Sequence, residues 1–401
     1  ANMGGNGVVV LYNGATINFK GHTMNQSLAV TDDLTVYSDV TGGTGAGGVN
    51  GGIDVAEGKT LTVSGINFAI NGSNNHLVSG GTLDLTGITK VSMCVEAANV
   101  SQVFSGVVKI GNTELKSESS RENMGYEFDN LQVNGNATLN QYNWNTVWNI
   151  HSLNGEGTLT WNASTNHSVS TTLTFDAEGE FNGTVHFNRN YGSGDGSRRF
   201  QAFLEIAHDN ALQNAVVKMT GGNANNFSAL AINTEDAHIK GLESGNAWYN
   251  IVYGGEALTT PQADVPETHR YATLTLTGEG DYTYHGGVSG SEPMSLDLVK
   301  TGGGRQVFAD GTGLGTDTAS FHNVTVLGGT LELNNTTTNV YGDYTIGQGA
   351  TLGIAGGFTL MNGHSLVTVG VDGQTGPAVL GCDLTLAGGT LTFEGAGMRD
   401  L

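Results

Sequence analysis

Short runs in which every second residue is apolar recur along this chain. Thr82-Leu83-Asp84-Leu85, Thr330-Leu331-Glu332-Leu333 and Thr390-Leu391-Thr392-Phe393 each read polar, apolar, polar, apolar. Period-two alternation is the signature of a strand with one face in a core and the other in solvent. A turn signal precedes each run. Gly-Gly-Thr-Leu stands at Gly80–Leu83, Gly328–Leu331 and Gly388–Leu391, and looser glycine-then-Thr-Leu forms end at Leu61, Leu139, Leu159, Leu352 and Leu360. Successive threonines lie 22 (Thr60 to Thr82), 20 (Thr138 to Thr158) and 21 (Thr330 to Thr351) positions apart, and Thr351 to Thr390 spans 39, near twice that interval. One such unit cannot bury its apolar face alone. Stacked units, at about 4.8 Å per coil, make a continuous core. The pattern therefore predicts an all-β, right-handed parallel β-helix (β-solenoid) with about 21 residues per coil.

Two stretches break the rhythm. Ser117–Arg121 is charged and serine-rich and reads as an exposed loop, and residues 255–293 hold three of the four prolines. The expected organisation is a solenoid block over 1–254, a proline-containing loop or junction over 255–293, and a second block over 294–401 with the clearest repeats. Composition strengthens this reading: 63 glycines, few charges and many β-formers suit strands and tight turns, not helices. The net charge of −22 excludes a nucleic-acid partner, because no basic patch exists to displace counterions from phosphates. No apolar run is long enough for a transmembrane helix. Ala1–Gly7 looks like a mature terminus left by signal-peptide removal, and a continuation beyond Leu401 into an anchor or barrel is expected. Cys94 and Cys382 would lie about 14 coils, or about 65 Å, apart on one axis, too far for a disulfide, so free core thiols are expected.

Leu298-Val299-Lys300-Thr301-Gly302-Gly303-Gly304, followed by Phe321–Leu327 and Gly328-Gly329-Thr330-Leu331-Glu332-Leu333, resembles the autotransporter-associated β-strand repeat. Gly280–Gly290 looks like the segment that leads into such a repeat, and Asp209–Val217 like the coil-starting segment that follows one. The likeness covers about Phe203–Gly255 and Gly278–Glu394, with Arg305-Gln306 departing from the usual glycine pattern. It implies a passenger-type β-helix exported to the bacterial surface. It implies no reaction, since such folds serve as adhesins, self-associating proteins and stalks alike.

Catalytic signatures are missing. His-Glu-x-x-His is absent, Asp317-Thr318-Ala319 lacks the glycine of an aspartic-protease turn, and Gly194-Asp195-Gly196-Ser197 scrambles the serine-protease order. The eleven histidines show no ligand spacing, so neither metal nor cofactor is expected. One acidic trio stands out. Asp176, Glu178 and Glu180 at i, i+2 and i+4 would share a strand face about 7 Å apart, within the range of glycosidase pairs, with Phe175, Ala177 and Phe181 opposite. The other candidate is an aromatic stripe, Tyr142, Trp144 and Trp148, with Trp161 following Tyr142 by 19 residues. Facing outward these rings would make a sugar platform; facing inward they are a core stack.

These observations lead to a secreted or cell-surface bacterial protein with a binding, adhesive or structural role towards host glycan or glycoprotein, or in self-association. The competing expectation is a secreted glycosidase or protease that degrades glycoprotein such as mucin through carboxylates on adjacent coils. An exposed groove favours the first and a concave cluster of acids the second.

Overall fold

The computed structural model describes residues 7–39, 47–72, 76–94, 100–118, 124–141, 146–163, 171–189, 200–221, 226–245, 250–254, 272–288, 296–309, 318–334, 337–340 and 342–394. Among these the chain is all β, without a helix, and the strands stack in parallel as a β-solenoid. It forms two compact units, Ala1–Ala202 and Phe203–Leu401.

In the first unit each strand pairs with its counterpart one coil later. Leu61, Leu83, Val108, Leu131 and Leu153 are partners in succession, all buried, and form one apolar column of the core. The second unit repeats the device with Leu274, Leu298, Val324, Tyr344 and Leu366. These partners lie 20 to 26 residues apart, so coil length varies about the expected 21. The threonine register holds for Thr60 with Thr82 and for Thr330 with Thr351. It slips elsewhere: Thr138 pairs with Thr160, not Thr158, and Thr390 pairs with Ser365, on a different face from Thr351 and Val379. Thr158 is thus two positions out of register on the same face, opposite Asn136, whereas the spacing to Thr390 is coincidence between faces.

In the second unit a coil carries three strands, as in Val324–Val326, Thr330–Asn334 and Thr337–Val340. The Gly-Gly of the repeat is sterically required at the corner. A Cβ on Gly328 or Gly329 would fall 2.2 Å from the carbonyl oxygen of Thr301 or Gly304 in the coil before. The expected junction over 255–293 is partly ordinary solenoid: Ala272–Leu276 pairs with Leu296–Lys300 and Asp281–Tyr284 with Arg305–Phe308. Residues 255–271 and 289–295 lie outside the described residues. Ser117, expected in a loop, is buried at the end of the strand Glu114–Ser117, while 119–123 lie outside the described residues.

Two side chains of the repeat motif close gaps in the backbone bonding. Gln306 is buried and donates through Nε2 to the Leu242 carbonyl (2.9 Å) while its Oε1 accepts from the Leu242 amide (3.0 Å), so its amide serves as one more rung of sheet. Lys300 is 1% exposed, and its ammonium donates to the carbonyls of Gly278 (3.4 Å) and Gly302. Burial pushes its pKa down to about 8. Lys300→Met keeps the stem but takes a donor from both carbonyls, that of Gly278 keeping only the Gly304 amide at 3.2 Å, and should cost the second unit about 1–2 kcal/mol in urea unfolding. An unchanged midpoint would deny the lysine this pinning role.

Candidate functional site

The first unit gathers a polar cluster at one corner of three successive coils. Tyr126-Glu127-Phe128-Asp129, Trp148-Asn149-Ile150-His151 and Leu173-Thr174-Phe175-Asp176 lie in register, and Phe128, Ile150 and Phe175 are stacked partners in the core. At this corner the alternation breaks: Asp129 and Asn130, then His151 and Ser152, are consecutive outward residues, and Asp129 and His151 are skipped in the pairing. The bend aims Asp129, His151 and Asp176 at one another on the outer surface.

His151 is the centre of the cluster. Its Nδ1 lies 2.7 Å from Asp176 Oδ1, its Nε2 lies 3.1 Å from Glu127 Oε1, and Asp129 Oδ1 stands 3.9 Å from the same Nε2. Asn149 Nδ2 donates to the other oxygen of Asp176 at 3.3 Å. Partial burial by itself would lower the imidazole pKa; hydrogen bonds and charge from Glu127 and Asp176 outweigh it and hold the pKa above the ordinary histidine value. The spacing rule for metal ligands along a chain misses this group, because His151 sits 22 to 25 residues from Asp129, Glu127 and Asp176 and meets them only through stacking. Superposing the three segments by their core aromatic and aliphatic residues would have found it.

The acidic trio does not form the expected face. The strand ends at Phe175, and 176–180 turn the corner, so the i, i+2, i+4 argument fails. Asp176 joins His151. Glu178 and Glu180 are exposed and engaged here through their backbone, the Glu178 carbonyl accepting from Ser152 Oγ and the Glu180 amide donating to Asn154 Oδ1.

The aromatic stripe is core where it is described. Trp148 and Trp161 are both 0% exposed, and no ligand in solvent can stack on them. Trp148 packs on Tyr126 (centroids 4.7 Å) and lies parallel to Phe128 (6.4 Å, 4°), and Trp161 stacks on Phe187 at 4.8 Å. Tyr142 and Trp144 lie outside the described residues. The Asn-rich alternate face points outward instead, where Asn188 donates to Asn162 and Asn154 to Asn130.

The second unit carries an open groove of about 550 Å³ on its outer face. Glu332, Asn334, Thr330, Thr351 and Asp383 line it, over a floor that includes Gly353 and Gly381. Gly353 follows Glu332 in the column of paired residues. Neither glycine is demanded by the backbone. A Cβ on Gly353 would meet only Glu332 Cγ at 3.6 Å, and one on Gly381 nothing closer than 3.7 Å, with no positive φ at either. These missing side chains open the groove. Glu332 makes a two-point pair with Arg305 (both 2.7 Å), which holds its carboxyl below the usual range. Cys382 also lines the groove, and burial pushes its thiol up, away from the reactive thiolate. Cys94 and Cys382 do not form a disulfide with one another, and both are half-buried rather than core. Among the described residues no helix is long and apolar enough to cross a membrane. Comparison with protein-family models, with curated proteins and with solved structures gives no match for this chain.

Proposed function

We propose that this chain is a secreted or surface-displayed bacterial β-solenoid of the autotransporter-repeat type that binds glycan or glycoprotein through its outer face. The observation that carries the reading is the groove over Gly353 and Gly381. Glycine inside a strand costs about 0.5–1 kcal/mol relative to alanine, and at Gly353 no steric or conformational need offsets that cost. A strand glycine without a structural reason marks a place where something approaches the backbone closely. The rim offers hydroxyls, an amide and carboxylates from neighbouring coils, the donors and acceptors that fix a polyhydroxylated ligand.

The competing hydrolase would need a carboxyl able to hold a proton near working pH and a second carboxylate opposite it. Glu332, clamped by Arg305, is driven the other way. Binding is therefore the better reading of this groove.

Gly353→Thr tests it. The added Cβ meets only ordinary contact and threonine suits a strand, so the variant should be as stable as the parent or more so, by up to about 1 kcal/mol. It should also lose most binding on a glycan array or to immobilised mucin. Undiminished binding by a folded Gly353→Thr would remove the groove from the reading. Release of sugars or peptides from mucin by the parent chain would replace binding with hydrolysis.

A further inference from the structure

We infer that the corner formed by Glu127, Asp129 and His151 is a binding site for a first-row divalent cation of the zinc type, with Asp176 as the residue that orients its imidazole. This inference is independent of the groove and of the glycan reading, and it reverses the expectation from chain spacing that no metal site exists.

The distances fit before any ion is added. One donor atom from each of Glu127, Asp129 and His151 lies within 4.8 Å of the other two. With bonds of about 2.0–2.2 Å, ligand atoms around such an ion stand about 3.0 Å apart in octahedral and about 3.4 Å in tetrahedral geometry. The contacts to His151 Nε2, 3.1 Å from Glu127 and 3.9 Å from Asp129, lie on either side of the tetrahedral value. One imidazole and two carboxylates form a mixed N/O set, which suits zinc and its neighbours better than calcium or magnesium.

The surroundings are those of a ligand histidine. Asp176 comes from a third coil and its Oδ1 stands 2.7 Å from Nδ1, where it accepts from Nδ1–H and leaves Nε2 as the ring atom that faces the two remaining carboxylates. Carboxylate–histidine–metal chains use this arrangement to fix the tautomer and raise ligand basicity. Asp176 is itself held by Asn149 Nδ2, and Asn149 Oδ1 is enclosed with no hydrogen-bond partner. Charge argues the same way. Three carboxylates surround one imidazole, and among the described residues no lysine or arginine pairs with any of them. A protonated imidazole neutralises one carboxylate; a divalent ion on a neutral imidazole neutralises two. Glu127, Asp129 and His151 are all partly exposed, so an ion held there keeps coordination positions open to an incoming ligand.

Isothermal titration of the chelator-treated full chain with Zn²⁺ should show one strong site. His151→Ala should weaken that site about 100-fold, and Asp176→Asn about 10-fold to 100-fold. His238→Ala, at another histidine paired with an acid (Asp236, 3.1 Å), should leave it unchanged. Should a variant fail to fold, protection of His151 by Zn²⁺ from diethyl pyrocarbonate in the unaltered chain, read by peptide mass, gives the same answer. Absence of binding at millimolar Zn²⁺ would overturn the inference. So would a strong site that survives His151→Ala, or His151 modified equally with and without the ion. Calcium binding undiminished in His151→Ala, with no zinc preference in the parent, would show carboxylates acting alone and would overturn it as well.

Discussion

Trp148→Ala is expected to lower the unfolding free energy of the first unit by about 3–5 kcal/mol, the scale of a fully buried aromatic truncated to alanine. The ring sits between coils, against Tyr126 at 4.7 Å and parallel to Phe128, which in turn stacks on Phe104 at 4.9 Å and 6°. Removing it opens a void in a column of rings that continues from coil to coil, and a stacked solenoid cannot collapse into a void without breaking its parallel register. Trp148→Phe separates volume from polarity. Trp148 Nε1 is buried and has no hydrogen-bond partner, so phenylalanine removes an unsatisfied donor along with some volume, and should cost well under half as much as alanine. Three of the four tryptophans, Trp144, Trp148 and Trp161, belong to the first unit, and urea titration followed by the fluorescence of Trp144 and Trp161 in the variants reads this unit chiefly. If Trp148→Ala unfolds at the parent midpoint but loses glycan binding, the ring faces a ligand rather than the core.

The fold was legible because its signal is local. Alternation in Thr82–Leu85 and Thr330–Leu333, with Gly-Gly before each, states both the strand and the corner, and both stand in the structure. Register was less legible, because a coil has three faces and the same Thr-Leu phrase occurs on more than one. Thr390 shares the wording of Thr351 but not its face, and Thr158 shares the face of Thr138 but stands two positions out of register. The sidedness of the aromatic stripe was ambiguous for the same reason: period two says that Trp148 and Asn149 face opposite ways, but not which way is in. Burial of Trp148 and Trp161 decides it, and the Asn ladders take the outer side.

The candidate sites were hidden for a different reason. Parallel stacking brings together residues one coil apart, and paired residues are separated by as few as 19 positions (Val8 and Ser27) and as many as 37 (Ala237 and Leu274), so no fixed spacing reveals a cluster. Glu127, His151 and Asp176 have ordinary neighbours in the chain and become a group only when Phe128, Ile150 and Phe175 are laid over one another. The acidic trio failed in the opposite sense: it was a pattern within one segment, read as a strand, and that segment is a corner. The groove over Gly353 was invisible because glycine is abundant here, and a glycine kept for space looks like one kept for a turn until its surroundings are known.

The first unit should also be acid-labile, through His76. This histidine is buried, donates from Nε2 to the Asn71 carbonyl at 2.9 Å, and lies nearly parallel to Phe104 at 6.4 Å. It heads the ring column that runs through Phe104 and Phe128 to Trp148. Burial lowers its pKa to about 4, against an ordinary 6.5, although the nearby backbone carbonyls work in the opposite direction. Because the folded value is depressed, the unfolded chain binds the proton first as pH falls. Stability from this group is complete above pH 6.5 and is lost between there and about 4. The loss amounts to about 2 kcal/mol at pH 5 and about 3 kcal/mol at pH 4. Carboxylates paired in the fold add their own loss at lower pH, so the variant matters. His76→Phe extends the ring stack, removes the titrating group and leaves the Asn71 carbonyl without this donor. It should be somewhat less stable than the parent at pH 8 but lose much less on going to pH 5. Urea midpoints by tryptophan fluorescence at pH 8, 6.5, 5 and 4 give the two curves. Parallel curves for parent and variant would mean that His76 takes up a proton as readily in the folded unit as in the open chain, and that the ring column does not exclude its charge.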